Sequence, residues 1–141
     1  MERFTIKEKE SNPSFIGAWN MKPLSISSCL IDYFELNQKR QKKGRCSTGF
    51  NPDNKDSIDI TIRPKEIITP DNKILKKYFE KLFECHQDYI SQWPFLKSLS
   101  QNYEIGSFNI QKYNPGQHFK KIHTERTSLE NLHRVFAFMT Y

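Results

Sequence analysis

Residues 70–92 constrain this chain more than any other stretch. Ile74, Leu75, Tyr78, Phe79, Leu82, Phe83, His86, Tyr89 and Ile90 recur there at three- and four-residue steps, the spacing that lines one face of an α-helix. Ahead of them stands Thr69-Pro70-Asp71: a threonine to cap, a proline where a missing N–H costs nothing, and an acid in the first turn. Behind them Trp93-Pro94 ends the pattern, because proline clashes with a helical predecessor. A helix of about 23 residues is roughly 35 Å long. So long an apolar stripe has to be covered by a layer of comparable size. His86 lies on the stripe and is expected to pack there as core or interface, not to ligate.

Shorter elements surround that helix. A second helix is expected after Ser27 or Ser28, whose hydroxyl can cap it, with Asp32 complementing its dipole. Leu30, Tyr33, Phe34 and Asn37 fall on one of its faces. Its tail, QKRQKKGR, suits a helix C-terminus, and Gly44 is the expected stop. Ile58, Ile60 and Ile62 alternate with Asp59, Thr61 and Arg63, which predicts a half-buried strand with Asp59 and Arg63 on its polar face. Residues 1–26 read as irregular, punctuated by Pro13, Gly17 and Pro23 and pinned to the core by Phe15, Ile16 and Trp19. One domain is therefore expected, with 1–26 irregular, 27–100 supporting helices and strand, and 101–141 a further β section.

Composition excludes several classes. No apolar run approaches the roughly 20 residues that span a bilayer, and MERFTIKEKE lacks the apolar core of a signal peptide. Cytoplasmic residence is the expectation. Cys29, Cys46 and Cys85 are odd in number and never form C-x-x-C, which argues against disulfide and zinc frameworks. The net charge of +6 is concentrated in Lys39, Arg40, Lys42, Lys43 and Arg45. A solvated helix end is the ordinary meaning of such a run; a landing surface for nucleic acid or an acidic partner is the alternative.

The chemistry lies in residues 103–125. Phe108, Ile110 and Lys112 alternate with Asn109, Gln111 and Tyr113, and Asn114-Pro115-Gly116 then turns the chain. The stretch ends in His123-Thr124-Glu125. Residues two apart in a strand share a face with Cα atoms roughly 6.5 Å apart, so imidazole and carboxylate can converge on one ion. In a helix the same two side chains would diverge by about 200°. The motif therefore requires extended backbone.

Gln111-Lys112-Tyr113-Asn114-Pro115-Gly116-Gln117-His118-Phe119, His123-Thr124-Glu125, and Arg134-Val135-Phe136-Ala137-Phe138-Met139-Thr140-Tyr141 together resemble the iron(II)- and 2-oxoglutarate-dependent dioxygenases of the prolyl 4-hydroxylase-like branch. The resemblance is specific over 103–141 and looser upstream. It implies an α+β fold in which N-terminal helices pack on a double-stranded β-helix, or jelly roll, with the long helix buttressing the larger sheet. It implies His123 and Glu125 as ligands of Fe(II), with Glu125 one methylene longer than the aspartate usual in the family. It further implies Tyr113 and Tyr141 as contacts of 2-oxoglutarate, and dioxygen as cosubstrate. The activity so implied is hydroxylation of an unactivated C–H bond in a peptidyl residue of prolyl type or in a small molecule, coupled to decarboxylation of 2-oxoglutarate to succinate.

Two parts of that pattern have no counterpart in the chain: the distal histidine and the basic residue that pairs with the cosubstrate carboxylate. His118 and His133 are the only other histidines near the motif, and surface roles are expected for both. No residue is assigned as a catalytic acid or base. Lys120, Lys121 and Arg126 bracket the ligands and are read as solvated loop charges or as steering groups for anions. Residues 135–141 are apolar except for Thr140, as expected of a strand buried on both faces. Ending inside that run predicts an N-terminal part of a longer protein, one that binds iron weakly and does not turn over. Two other readings stand beside the hydroxylase: a non-catalytic basic β-rich binding domain, and a hydrolytic enzyme that would use zinc.

Overall fold

The chain runs β1 (Glu2–Phe4), β2 (Ala18–Asn20), α1 (Ser25–Leu36), a 3-10 turn (Gln38–Arg40), β3 (Lys42–Lys43), β4 (Lys55–Asp56), β5 (Ile58–Ile62), α2 (Pro64–Ile67), a second 3-10 turn (Pro70–Asn72), α3 (Lys73–Gln92), α4 (Leu96–Leu99), β6 (Phe108–Lys112) and β7 (His118–Phe119). The computed structural model describes residues 2–6, 15–46, 49–99, 102–126 and 128–141. The architecture mixes helices with small sheets: β1-β2, β3-β5-β6 and β4-β7. No jelly roll is formed among the described residues. No helix among them is long and apolar enough to cross a membrane. Two units are distinguished, Met1–Lys42 with Asp59–Ile110 and Lys43–Ile58 with Gln111–Tyr141.

The first unit is organised by the predicted long helix, which forms in two parts. A 3-10 turn over Pro70–Asn72 leads into α3, because the proline fixes the entry and the ladder settles into α geometry only beyond it. Thr69 does not cap the helix backbone. Its hydroxyl instead donates to Glu66 O at 2.9 Å and accepts from Asn72 Nδ2 at 2.8 Å, a local side-chain arrangement that competes with capping. At the far end Trp93 N–H still bonds Tyr89 O, and Pro94 forbids another turn.

Leu75, Tyr78, Phe79, Cys85 and Ile90 of α3 are buried; α1 packs on it, burying Ile26, Tyr33 and Phe34 of its own. Ile26, Tyr78 and Phe79 form the centre, with Leu30, Leu82 and Phe108 packed against it. The Phe79 and Phe108 rings meet at 4.9 Å, edge to face. Phe83, at one edge of the predicted stripe, is 61% exposed: at about 100° per residue it lies beyond the covered face. His86 is half-buried beside Tyr103, with ring centroids 5.5 Å apart, in the packing role expected of it.

Five expectations in this unit need correction. Residues 1–26 contain an antiparallel pair, β1 with β2, in register Glu2↔Asn20, Arg3↔Trp19 and Phe4↔Ala18. The segment is pinned by Phe15, whose ring lies 4.7 Å from that of Trp93, and by Trp19; Ile16 is exposed. Helix α1 begins at Ser25, so Ser27 and Ser28 lie inside it and Asp32 falls beyond its first turn. It stops at Leu36, well before Gly44, because Asn37 Nδ2 takes Tyr33 O at 2.7 Å and the chain tightens into a 3-10 turn. Asp59 is buried rather than on a polar face, since β5 is the central strand of its sheet and is covered on both sides at that point.

The second unit holds β4 and β7, paired antiparallel with Lys55 opposite Phe119 and Asp56 opposite His118. Lys120 N–H extends the pairing to Asn54 O at 2.9 Å. The predicted turn before β7 is present: Gln117 N–H bonds Asn114 O at 2.9 Å, and Gln117 Oε1 accepts from Asn114 N–H at 2.7 Å. Gly116 supplies the turn's φ of +85°, a left-handed conformation that glycine adopts without cost. Residues 135–141 form no strand, and all but Phe136 are exposed. An apolar run becomes a buried strand only when neighbouring strands and a covering layer reach it, and the sheets among the described residues do not include it.

Candidate metal site

The β4-β7 pair fixes where the segment with the candidate ligands begins. Phe119 closes β7, and the chain then leaves the sheet, so His123 and Glu125 stand on irregular backbone rather than on the expected strand. They converge nonetheless: His123 Nε2 lies 3.4 Å from Glu125 Oε1. The Phe119 ring stacks on the His123 imidazole, centroids 4.4 Å apart and planes 23° from parallel. On the neighbouring strand, buried Lys55 places its Nζ over the Phe119 ring at 5.6 Å from the centroid, within cation–π range. Ring stacking and a loop hydrogen bond thus do what strand geometry was expected to do.

His123 Nδ1 lies 3.1 Å from Lys121 O, a carbonyl that can only accept, so a protonated Nδ1 donates there. Nε2 is turned to a carboxylate oxygen, the geometry of an imidazole–carboxylate pair. Histidine ligands ordinarily donate their other ring N–H to a backbone carbonyl in this way. The second carboxylate oxygen, Glu125 Oε2, accepts from Arg134 Nη1 at 2.9 Å.

The spacing suits a metal. Two donors each about 2.1 Å from one ion are roughly 3.0 Å apart at a right angle and 3.4 Å at a tetrahedral angle. In donor type and separation His123 and Glu125 match two ligands of one ion, and equally an exposed imidazole–carboxylate ion pair. A group of three His, Cys, Asp or Glu side chains able to hold an ion is not found among the described residues. His118 does not join the pair. Its Nδ1 is buried without a hydrogen-bond partner, on a strand position paired with Asp56. His133 is exposed.

Of the other expected site residues, Tyr113 is exposed just past β6, its hydroxyl donating to Gln111 Oε1 at 3.2 Å; the strand-face pairing of these two is as the alternation predicts. Tyr141 is fully exposed, its hydroxyl 3.1 Å from Met139 Sδ. The base that reaches the carboxylate is Arg134, not the adjacent Lys120, Lys121 or Arg126. Sequence reading missed the roles of Phe119, Lys55 and Arg134. A turn separates Phe119 from the alternation of 108–112 and irregular chain separates it from His123, and Arg134 is nine residues from its partner, so no period announces either.

The basic run changes meaning as well. Arg40 is a structural residue, bonded to Tyr33 Oη at 2.9 Å, Thr61 O at 3.0 Å and Glu66 Oε2 at 2.6 Å. Lys42 and Lys43 form edge strand β3, where lysines commonly discourage sheet-to-sheet association. No protein-family model, no curated protein and no solved structure matches the chain.

Proposed function

We propose that the chain carries the His-x-Glu half of an iron(II) site and belongs to a 2-oxoglutarate-dependent hydroxylase acting on a peptidyl residue of prolyl type or a small molecule. The observation that carries the reading is the 3.4 Å approach of His123 Nε2 to Glu125 Oε1, with Nδ1 turned to Lys121 O. In this reading the strands of residues 101–141 are the beginning of a double-stranded β-helix. Iron bound there supplies the activation of dioxygen, coupled to oxidation of 2-oxoglutarate. The protein's own part is to hold the imidazole against Phe119, to present one carboxylate oxygen, and to offer Tyr113 and Tyr141 hydroxyls to the cosubstrate's carboxylates.

Cobalt(II), a redox-stable probe for iron, tests this by NMR. The expected result is paramagnetic perturbation centred on His123 and Glu125, tightening on addition of 2-oxoglutarate, and weakened at least about tenfold in His123→Ala. Binding that ignores 2-oxoglutarate would point to a hydrolytic or structural ion and would overturn the hydroxylase. Absence of any perturbation at His123 would overturn the metal site itself.

A further inference from the structure

We propose that the unit formed by Lys43–Ile58 and Gln111–Tyr141 binds single-stranded nucleic acid, seated on the hairpin that carries Lys43, Arg45 and Phe50. The inference is independent of the metal reading and uses none of its residues. Charge is the first observation. This unit holds eight lysines and arginines against four aspartates and glutamates, a net charge of +4. The whole molecule carries +6, so most of its excess positive charge sits in a third of the chain. An excess gathered in this way is the electrostatic footprint of a polyanionic partner.

The second observation is how the hairpin presents an aromatic ring among those charges. Cys46 and Gly49 bond each other in both directions at 2.9 Å, and Gly44 N–H bonds Ser57 O at 2.8 Å, which holds 43–50 as a hairpin beside β4. Gly44 is buried, while Lys43 and Arg45 on either side of it are exposed. Lys43 Nζ lies 5.3 Å from the centroid of the Phe50 ring, within cation–π range, and Phe50 is 49% exposed. On the other side of β4, the bond from Lys120 N–H to Asn54 O sets two more exposed cations, Lys120 and Lys121, along the same small sheet. An exposed ring with cations beside it matches a nucleotide in both of its parts: the base stacks on the ring and the phosphate meets the lysine and arginine. An acidic polypeptide would meet the charges but offers the ring no flat face. A duplex keeps its base faces stacked on one another and leaves Phe50 without a role.

The test follows binding of labelled oligouridylate and oligothymidylate, each about ten nucleotides long, by fluorescence anisotropy over a range of salt concentrations. Binding of either is expected, with log K falling against log salt by about 0.7 for each phosphate neutralised. The paired change Lys43→Gln and Arg45→Gln is expected to flatten that slope by about 1.4. Phe50→Ala is expected to weaken binding at least about fivefold with the slope and melting temperature unchanged, and Phe50→Trp to retain it, because stacking is a property of the aromatic face. A slope unmoved by the paired change would overturn the placement on this hairpin. Equal binding of the matching duplex, or equal loss in Phe50→Ala and Phe50→Trp, would overturn stacking on Phe50. Displacement by an oligoglutamate of the same charge as effectively as by unlabelled oligonucleotide would overturn nucleic acid in favour of an acidic protein.

Discussion

At the level of single residues the site depends on orientation more than on burial. His123 is held on one side by a carbonyl, on one face by Phe119, and opposite a carboxylate that Arg134 anchors. Stacked aromatic pairs contribute about 0.5–1.5 kcal/mol beyond the area they cover. Phe119→Ala is thus expected to weaken cobalt(II) binding by up to about tenfold, with a broadened His123 ring signal in the metal-free protein; calorimetry and NMR on the same sample check both. His123 and Glu125 come together as the spacing suggested, but not for the expected reason: the backbone there is irregular, and the Phe119 ring and Lys121 O hold the imidazole. The Arg134–Glu125 pair was not legible, since the turns before Arg134 depend on Ser128 and Asn131 side-chain and backbone bonds with no sequence period.

The elements differ sharply in how far the sequence announces them. Helix α3 is long, so its 3.6-residue period repeats often enough to be unmistakable, and β5 and β6 show their alternation over five residues each. The pair β1-β2 and helices α2 and α4 span three or four residues, too few for a period to register; they exist through contacts such as Glu66 Oε1 accepting from Arg63 N–H at 2.9 Å. Burial along α3 makes a sharp test. Leu75 is 0% exposed and Phe83 61%, though both lie on the predicted stripe. Leu75→Ala should cost about 2–5 kcal/mol, whereas Phe83→Ala should stay within about 0.5 kcal/mol, read from urea midpoints at constant m-value.

For the molecule as a whole, several titrating groups act in the same direction. Burial pushes the His86 imidazole below its ordinary value. Hydrogen bonds from Arg3 and Trp19 hold the Asp88 carboxyl low. Burial pushes Glu66 up, but hydrogen bonds from Arg63 N–H and the Arg40 guanidinium outweigh it, and it too titrates low. In each case the folded value lies below the unfolded one. The unfolded chain therefore binds more protons, and stability rises with pH. The contribution is complete above the unfolded values and is lost as pH falls through the folded ones. Stability should decline in two stages, the first setting in below about pH 6.5 as His86 is protonated in the unfolded chain, the second below about pH 4.5 as the carboxylates follow. Urea midpoints measured between pH 8 and pH 3.5 check this, and His86→Gln should remove the first stage only.

The sequence by itself determined the long helix, the two alternating strands and the turn at Gly116. Each follows from backbone periodicity or from the conformational freedom of one residue. Only the tertiary structure decided that Asp59 and Lys55 are buried, that Arg40 is a structural residue and Arg134 a partner of Glu125, and that residues 135–141 lie outside the sheets of the described residues. Burial and pairing are set by neighbours distant in the chain, and no local period encodes which of them arrives.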